Sequence, residues 1–268
     1  ECEWAKVIGG SNNDDYINSV AETRDGGIIA GGYFWSSSIE LDNGVSLSNI
    51  GNWNGMIIKY SSSGECEWAK VIGGSSRDQI NSVAETSDGG ILAGGEFKSS
   101  SIDLGKGVSI SNKSSRTSYR DGMIIKYSSS GECEWATAIG DSGDDNITSV
   151  AECSDGGIIA GGYFERSIDL GNGVSLTNKR DSDGMIIKYS AEGECEWAKG
   201  IGGRYNDSIQ AVAETSDGGI LTGGYFDSSS IDLGNGVSLT NKGHEDGMII
   251  KYSAEGECEW AKGIGGSD

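Results

Sequence analysis

The chain contains no proline, a single histidine and only 20 basic residues among 268. The absence of proline excludes collagen, because the triple helix needs abundant proline and a strict Gly-X-Y period. No apolar run in the sequence approaches the roughly 18 residues of a membrane-spanning helix, so we expect no membrane span. The formal net charge of −21 repels phosphate backbones, and we therefore expect no nucleic-acid partner.

Glycine is abundant, with 45 residues, but seven Trp and ten Tyr supply material for a core. The six cysteines are Cys2, Cys66, Cys133, Cys153, Cys195 and Cys258. Five of them lie in the same tetrapeptide, E-C-E-W, and none has C-x-x-C spacing, which argues against a zinc site. We expect each to be a small buried hydrophobic residue with a free thiol.

The dominant feature is an internal repeat. E-C-E-W begins at residues 1, 65, 132, 194 and 257, in steps of 64, 67, 62 and 63 residues. Each step carries the same phrases in the same order: I-x-S-V-A-E-T, D-G-G-I-I-A-G-G-Y-F, S-I-D-L-G-N-G-V-S-L-T-N and D-G-M-I-I-K-Y-S. A repeat of this length suits a four-stranded propeller blade that carries one insertion.

Each phrase has the pattern of a β-strand. E-C-E-W alternates, with Cys66 and Trp68 on one face and Glu67 on the other. D-G-G is a tight-turn signal, and G-M-I-I-K-Y is apolar on both faces, as expected of a middle strand. No segment has helical periodicity, so the sequence predicts an all-β chain of four-stranded antiparallel blades, each with an inserted hairpin.

The phrases D-G-M-I-I-K-Y-S-x-x-G-E-C-E-W-A-x-x-I-G-G and V-A-E-T-x-D-G-G-I-I-A-G-G resemble the bacterial β-propeller repeat called SBBP. The resemblance covers essentially the whole chain, four times over. It implies a β-propeller, of a kind often found in secreted or surface-attached bacterial proteins, and it carries no catalytic residues. The cysteine before each Trp departs from the family, which usually has an aliphatic residue there, and this supports a buried position.

By analogy with related propellers, V-A-E-T is the innermost strand, followed by G-I-I-A-G-G, G-M-I-I-K-Y and the outermost E-C-E-W. We expect one domain over 1–268, with blades near 16–73, 80–139, 147–201 and 209–264. Residues 1–9 are then a surplus outer strand. The chain is a segment of a longer array, or one copy of the strand is displaced, or the surplus strand pairs with another chain.

The four repeats differ chiefly in two connections, which the assumed strand order places on one face. One comprises residues 11–16, 75–78, 141–145 and 204–207; the other comprises 50–54, 114–121, 179–183 and 243–246. Variable loops on a constant scaffold are the usual place for binding, although ordinary drift after duplication explains them equally well. The candidate ligand-binding residues are Trp35, Trp53, Arg116, Tyr119, Arg120, Arg180, Arg204, Tyr205 and His244.

Repeated acids raise the question of a metal site. Asp15, Asp78, Asp145 and Asp207 each precede the inner strand, while Asp121, Asp183 and Asp246, with Asn54 in the first repeat, precede G-M-I-I. Such residues commonly bond the backbone of their own turn, and no D-x-D-x-D-G loop is present. We expect no metal and no cofactor.

Two functions follow from this pattern. The first is a non-catalytic module for binding or adhesion, extracellular or on a cell surface, that recognises a glycan or a protein through the variable loops. The alternative is a structural unit that self-assembles into rings or fibres through its surplus terminal strand. An enzyme is poorly supported, because His244 lies in a variable loop with no nucleophile placed beside it. A hydrolase that uses acids near the axis is the weaker third hypothesis.

Overall fold

The computed structural model describes residues 2–11, 14–114 and 118–267. Over these residues the chain is all-β, with 22 strands and one 3-10 turn, Asp42–Gly44. No helix in the described part is long and apolar enough to cross a membrane.

The first two repeats contain the strands β1 to β12. The first repeat has β1 Asp15–Glu22, β2 Ile28–Phe34, β3 Ser38–Glu40, β4 Ser46–Ser48, β5 Asn54–Tyr60 and β6 Cys66–Ile72. The second has β7 Asp78–Glu85, β8 Ile91–Phe97, β9 Ser101–Gly105, β10 Val108–Ser111, β11 Asp121–Tyr127 and β12 Cys133–Ile139.

The last two repeats contain the strands β13 to β22. The third repeat has β13 Asn146–Glu152, β14 Ile158–Gly171, β15 Val174–Tyr189 and β16 Cys195–Ile201. The fourth has β17 Asp207–Glu214, β18 Ile220–Phe226, β19 Ser230–Asp232, β20 Ser238–Thr240, β21 Asp246–Tyr252 and β22 Cys258–Ile264.

Each repeat forms one four-stranded sheet, in the orders β1-β2-β5-β6, β7-β8-β11-β12, β13-β14-β15-β16 and β17-β18-β21-β22. The strand pairings are antiparallel, as in β1 with β2 and β5 with β6, so the prediction of repeated antiparallel sheets is confirmed. The inserted hairpins are β3–β4, β9–β10 and β19–β20, and in the third repeat the hairpin is continuous with β14 and β15.

The chain divides into two compact units. One comprises Glu1–Asn112 with Met123–Ala138 and holds most of the first two repeats; the other comprises Lys113–Gly122 with Ile139–Asp268 and holds most of the last two. Each unit has its own hydrophobic cluster, centred on Ile80 and Ile125 in the first and on Ile209 and Ile250 in the second.

The D-G-G turn joins the first two strands of every sheet through a small hydrogen-bond network. In the second repeat Thr86 Oγ1 donates to Asp88 Oδ1 at 2.6 Å, and Gly90 N donates to the same oxygen at 2.9 Å. Gly89 has φ +79°, a conformation that glycine adopts without a steric penalty. The turn residues therefore fix where the inner strand ends and the return strand begins.

The third strand is buried on both faces in the first three repeats, as its sequence predicts, whereas in β21 the face of Ile249 is only partly buried. In β5 the side chains of Met56 and Ile58 pack toward the hairpin β3–β4, in a cluster with Phe34. Ile57 points to the opposite face, into the cluster shared with the second repeat. The strand is therefore held between its own hairpin and the neighbouring sheet.

Successive repeats within a unit approach closely at a glycine of the second strand. A Cβ atom on Gly31 would lie 2.6 Å from Val83 Cγ1 and 2.9 Å from Ile80 Cγ2. In the second unit Gly161 faces Val212 and Ile209 in the same way, at 2.6 and 2.7 Å. Because a larger side chain has no room there, glycine at this position permits the face-to-face packing of sheets.

The segment predicted as a surplus outer strand forms no strand over its described residues, 2–9. It lies against the first repeat through Trp4, whose Nε1 donates to Ser62 O at 3.3 Å and whose ring centroid lies 6.2 Å from that of Tyr60. Cys2 is exposed, whereas the other five thiols are buried. The interpretation of the cysteines as small core residues thus describes five of the six.

Candidate ligand-binding site

The two variable connections meet within each unit. Asp78 N donates to Trp53 O at 2.8 Å, and Asp145 N donates to Arg120 O at 2.8 Å. The loop after the hairpin of one repeat therefore contacts the loop before the inner strand of the next. A ligand could touch both loops at such a junction.

The first repeat carries an aromatic cluster, which we define as Tyr16, Tyr33, Trp35 and Trp53. Tyr16 and Tyr33 are cross-strand partners in β1 and β2, and their rings stack at 5.1 Å. The Tyr33 ring stacks on Trp53 at 5.0 Å with an interplanar angle of 12°, and Trp35 is tilted against Trp53 at 6.0 Å. Aromatic contacts of this geometry add to the stability that burial alone supplies.

Two asparagines hold the loop that presents Trp53. Asn49 Oδ1 accepts a hydrogen bond from Gly51 N at 2.8 Å, and Asn49 Nδ2 donates to Asn52 O at 2.7 Å. Asn54 is buried, and its Oδ1 accepts from Ile50 N at 2.8 Å. The aromatic cluster therefore stands on a braced loop.

A cation completes the site. The guanidinium carbon of Arg77 lies 4.0 Å from the centroid of the Trp53 ring, within range of a cation–π attraction. Arg77 Nη2 donates to Gln79 Oε1 at 3.5 Å, while its buried Nε has no hydrogen-bond partner among the described residues. A cavity of about 430 Å³ opens here, lined by Trp35, Asn52, Trp53, Ser75, Ser76, Arg77 and Lys98.

Within the aromatic cluster, the rings most open to solvent are Trp35, 42% exposed, and Tyr16, 49% exposed, whereas Tyr33 and Trp53 are half-buried. At the Trp35 position the other repeats have Lys98, Glu165 and Asp227, and at the Tyr16 position they have Gln79, Asn146 and Ser208. The two exposed rings are therefore specific to the first repeat and are not part of the repeated framework.

A second, more polar group of predicted residues lies in the second unit. Arg180 and Arg204 line a cavity of about 520 Å³ together with Lys179, Gly203, Ser229, Ser230 and Asp232. Tyr205 is exposed beside it, and its backbone N donates to Ser228 Oγ at 3.0 Å. The structure thus brings three of the predicted residues together here, apart from the aromatic cluster.

The remaining predicted residues do not converge on either cavity. Arg120 is half-buried and its Nη2 lies 3.3 Å from Asp144 Oδ2, so its charge is paired. His244 is largely exposed, with Nδ1 3.7 Å from Asp227 Oδ1. Tyr119 is half-buried in its loop, and Arg116 lies outside the described residues.

The acids that precede the inner strands brace the backbone. Asp78 is buried, and its Oδ1 accepts from Lys98 N and Ser99 N at 3.0 Å each. Its Oδ2 accepts from Ser99 Oγ at 2.6 Å and from Gly74 N at 2.9 Å. These bonds link the end of β8 to the segment before β7, so the acid joins separate parts of the chain and not only its own turn. Across the described residues no group of three or more His, Cys, Asp or Glu could hold a metal ion.

The acids that precede G-M-I-I lie beside those bracing acids, across a glycine. A Cβ atom on Gly202 would lie 2.5 Å from Asp183 Oδ1 and 2.8 Å from Asp207 Oδ2. Burial, with a smaller contribution from the charge of Asp207, raises the pKa of Asp183 to about 6. Burial likewise raises the pKa of Asp121 to about 6, in the same position one repeat earlier. These pairs are buried parts of the framework and are not open to a substrate.

Sequence reasoning overlooked three members of the site: Tyr16, Tyr33 and Arg77. The signal was available, because Tyr33 and Trp35 flank the buried Phe34 and an extended chain therefore places them together on the opposite side at the end of β2. The partnership of Tyr16 with Tyr33 depends on the register of β1 against β2, which the sequence does not specify.

No family model matches the chain, so the expected membership of the SBBP family is not confirmed. Over 139 residues the chain is 26% identical to "Regulatory protein FlaEY" of Caulobacter vibrioides. The aligned region covers 51% of this chain and 14% of that protein. The chain thus spans about 14% of the length of that relative.

Solved structures give weak likenesses. A protein of unknown function from Dyadobacter fermentans matches with a TM-score of 0.46 and 10% identity, over 93% of this chain and 72% of the other. A protein of unknown function from Bacteroides caccae matches with a TM-score of 0.43 and 11% identity, over 94% of this chain and 83% of the other. A putative gluconolactonase matches with a TM-score of 0.34 and 11% identity, over 96% of each chain. At this level none of them assigns an activity to the chain.

Proposed function

We propose that the chain is a β-propeller built from SBBP-like repeats and that it serves as a non-catalytic module for binding or adhesion on a cell surface. The four sheets are its blades. Trp35 and Tyr16 bind a glycan, supported by the rest of the aromatic cluster and by Arg77.

The observation that carries this proposal is the pair of exposed rings on a braced aromatic cluster. Exposing two large aromatic side chains at the ends of one series of packed rings has no benefit for folding, and the other repeats fold with polar residues at the same positions. Tyr33 stacks on Tyr16 and Trp53 packs against Trp35, so each exposed ring is held by a half-buried neighbour and little side-chain entropy is lost when a ligand binds.

The chemistry of the site fits a sugar. A pyranose presents an apolar C–H face and a polar rim, which match the flat face of an aromatic ring with polar groups around it. Asn52, Ser75, Ser76 and Lys98 supply such groups around the cavity of about 430 Å³. That volume lies in the range of small-ligand sites, whereas a stable protein partner needs about 800 Å² of surface on each side.

The proposal is tested with a panel of immobilised oligosaccharides, followed by calorimetry on the tightest binder. Trp35→Ala is expected to weaken binding about tenfold or more, because it removes an aromatic contact at the centre of the site. Tyr16→Ala is expected to weaken binding as well.

The matched control is Tyr205→Ala, which removes an exposed aromatic side chain from the loop of the fourth repeat. It should leave the affinity unchanged. If Tyr205→Ala abolishes binding while Trp35→Ala does not, the site lies in the second unit and the proposal is wrong. Unchanged affinity in all three variants would also refute it.

A further inference from the structure

The first repeat leaves uncovered the apolar face that the later repeats bury. Val20 is 67% exposed and Ile17 is 38% exposed, whereas the equivalent Val83 and Ile80 of the second repeat are 6% and 0% exposed. Ile17 and Val20 line an open groove of about 620 Å³, together with Trp4, Ala21, Ile28, Ala30 and Tyr60 among others. Within each unit, the equivalent Val and Ile fit against a glycine of the preceding repeat.

The fourth repeat has the matching glycine with nothing packed on it. A Cβ atom on Gly223 would meet only Met248 O, at 3.9 Å, whereas the same atom on Gly31 or Gly161 would clash with Val and Ile side chains. Gly223 has no positive φ that would require glycine. The fold of the fourth repeat therefore does not explain why this residue lacks a side chain.

We infer that Ile17 and Val20 of one molecule pack against Gly223 of a second copy, so that the fourth repeat of one chain adjoins the first repeat of the next. The internal junctions show the geometry, since each places the Val–Ile pair of one sheet on the glycine of the preceding sheet. This contact is head-to-tail and uses sheet faces, so it differs from pairing through a surplus strand.

Polar groups at the two free faces match the internal pattern. Glu85 accepts a hydrogen bond from Arg24 N at 2.9 Å, and Glu214 accepts from Ser154 N at 2.9 Å. The corresponding groups at the free faces are the carboxylate of Glu22 and the backbone N–H of Ser216, both on exposed residues. The new junction could therefore repeat this bond.

Two differences make the new junction weaker than the internal ones. Val83 N donates to Ser19 Oγ at 3.1 Å and Val212 N to Ser149 Oγ at 3.2 Å, but the fourth repeat has Ala211 at the serine position. At the internal junction Trp53 contacts Arg77. The equivalent positions at the new junction are Glu245 of the fourth repeat and Asp14 of the first repeat, so two negative charges would meet there. We therefore expect reversible association that becomes stronger as salt screens this repulsion.

Trp4 occupies a place that the second copy needs. Trp68 Nε1 donates to Ser129 O and Trp197 Nε1 to Ala254 O, at 3.1 and 3.2 Å, which is how the outer strand of one repeat joins the next. Trp4 makes the equivalent bond to Ser62. Trp260, which is exposed, would take that place when the fourth repeat docks, and residues 2–9 must move away.

Sedimentation velocity over a range of concentrations tests the inference on the full chain. We expect concentration-dependent association that Val20→Glu and Gly223→Ala each weaken about tenfold or more. Both variants should keep the thermal stability of the parent, because Val20 is exposed and Gly223 has room for a methyl group. Ile50→Lys, which replaces an exposed apolar residue with the Lys of the other repeats, is the control and should associate normally.

Mixing the two variants identifies the contact as head-to-tail. Val20→Glu keeps an intact fourth repeat and Gly223→Ala keeps an intact first repeat, so the mixture should form one-to-one dimers at concentrations where neither variant associates alone. Trp4→Ala should tighten association by vacating the place for Trp260. A parent chain that stays monomeric, association that both face variants leave unchanged, or weaker association of Trp4→Ala would overturn the inference.

Discussion

Replacing Asp183 with asparagine is expected to stabilise the protein at pH 8 and to leave it unchanged near pH 4. Asp183 is buried; its Oδ2 accepts from Lys179 N at 3.1 Å, but its Oδ1 has no hydrogen-bond partner among the described residues. Burial and the nearby Asp207 raise its pKa to about 6, so its proton is bound more tightly in the folded state than in the unfolded state.

The sign and size follow from proton linkage. The stability that this proton supplies is fully present below the ordinary pKa of 3.8 and is lost as the pH rises through about 6. Each unit of pKa corresponds to about 1.4 kcal/mol, so ionised Asp183 costs the folded state at most about 3 kcal/mol at pH 8. The amide of asparagine carries no such charge.

The first repeat already contains this substitution. Asn54 stands at the equivalent position, where its Nδ2 donates to Gly74 O at 3.0 Å and its Oδ1 accepts from Ile50 N. An asparagine at 183 has Gly203 O as the corresponding acceptor. The reverse change, Asn54→Asp, should therefore destabilise the protein at pH 8 and add a new dependence on pH.

Urea unfolding at pH 4 and pH 8 measures the effect. We expect Asp183→Asn to be more stable than the parent by about 1–3 kcal/mol at pH 8. Asp181→Asn is the control, because it removes the same charge from an exposed position in the same strand, β15. If Asp183→Asn gains no more stability at pH 8 than Asp181→Asn does, the carboxylate is not held in an unfavourable environment and the reasoning fails.

Two further predictions concern the core. Cys2 is exposed and the other five cysteines are buried, with burial raising the pKa of the Cys133 and Cys195 thiols to about 11. A thiol reagent should therefore modify Cys2 first in the native protein and the rest only after unfolding; rapid reaction of two or more thiols would contradict the packing. Gly161→Ala should lower the free energy of unfolding by about 1–3 kcal/mol, because its Cβ would overlap Val212 Cγ1, whereas Gly223→Ala should have no effect. Equal stability of the two variants in urea would contradict the close approach.

The repeat made most of the sheet structure predictable. The spacing of Thr86, Asp88 and Gly89 predicts the turn, and the apolar run at Ile124 predicts a strand buried on both faces, because these features depend on neighbours in sequence. Copying the phrase four times makes the same prediction four times. The continuity of β14 and β15 through the third hairpin was not predicted. It accompanies a shorter connection, with two residues between Phe164 and Ser167, and an added pairing of Glu165 with Ser182.

The candidate site was predictable only in part. Trp35 and Trp53 stood out because they interrupt a repeated pattern, but their contact with Tyr33 and Arg77 joins two strands and two loops far apart in sequence. Exposure was not predictable either: Trp53 and Arg120 are both half-buried, although the sequence places them in variable loops.

Comparison of the junctions separates the loop residues that hold repeats together from those available to a ligand. The residue just before the Asn or Asp of the G-M-I-I phrase contacts the residue just before the bracing Asp of the next repeat. The contact is a cation–π interaction of Trp53 with Arg77, an ion pair of Arg120 with Asp144, and a hydrogen bond from Ser182 Oγ to Asn206 Oδ1 at 3.1 Å. The chemistry changes while the contact persists, so variation at these positions is explained by packing. Trp35 and Tyr16 lie outside that pair of positions and remain exposed. For this reason they, rather than Trp53, are the residues to substitute in a binding experiment.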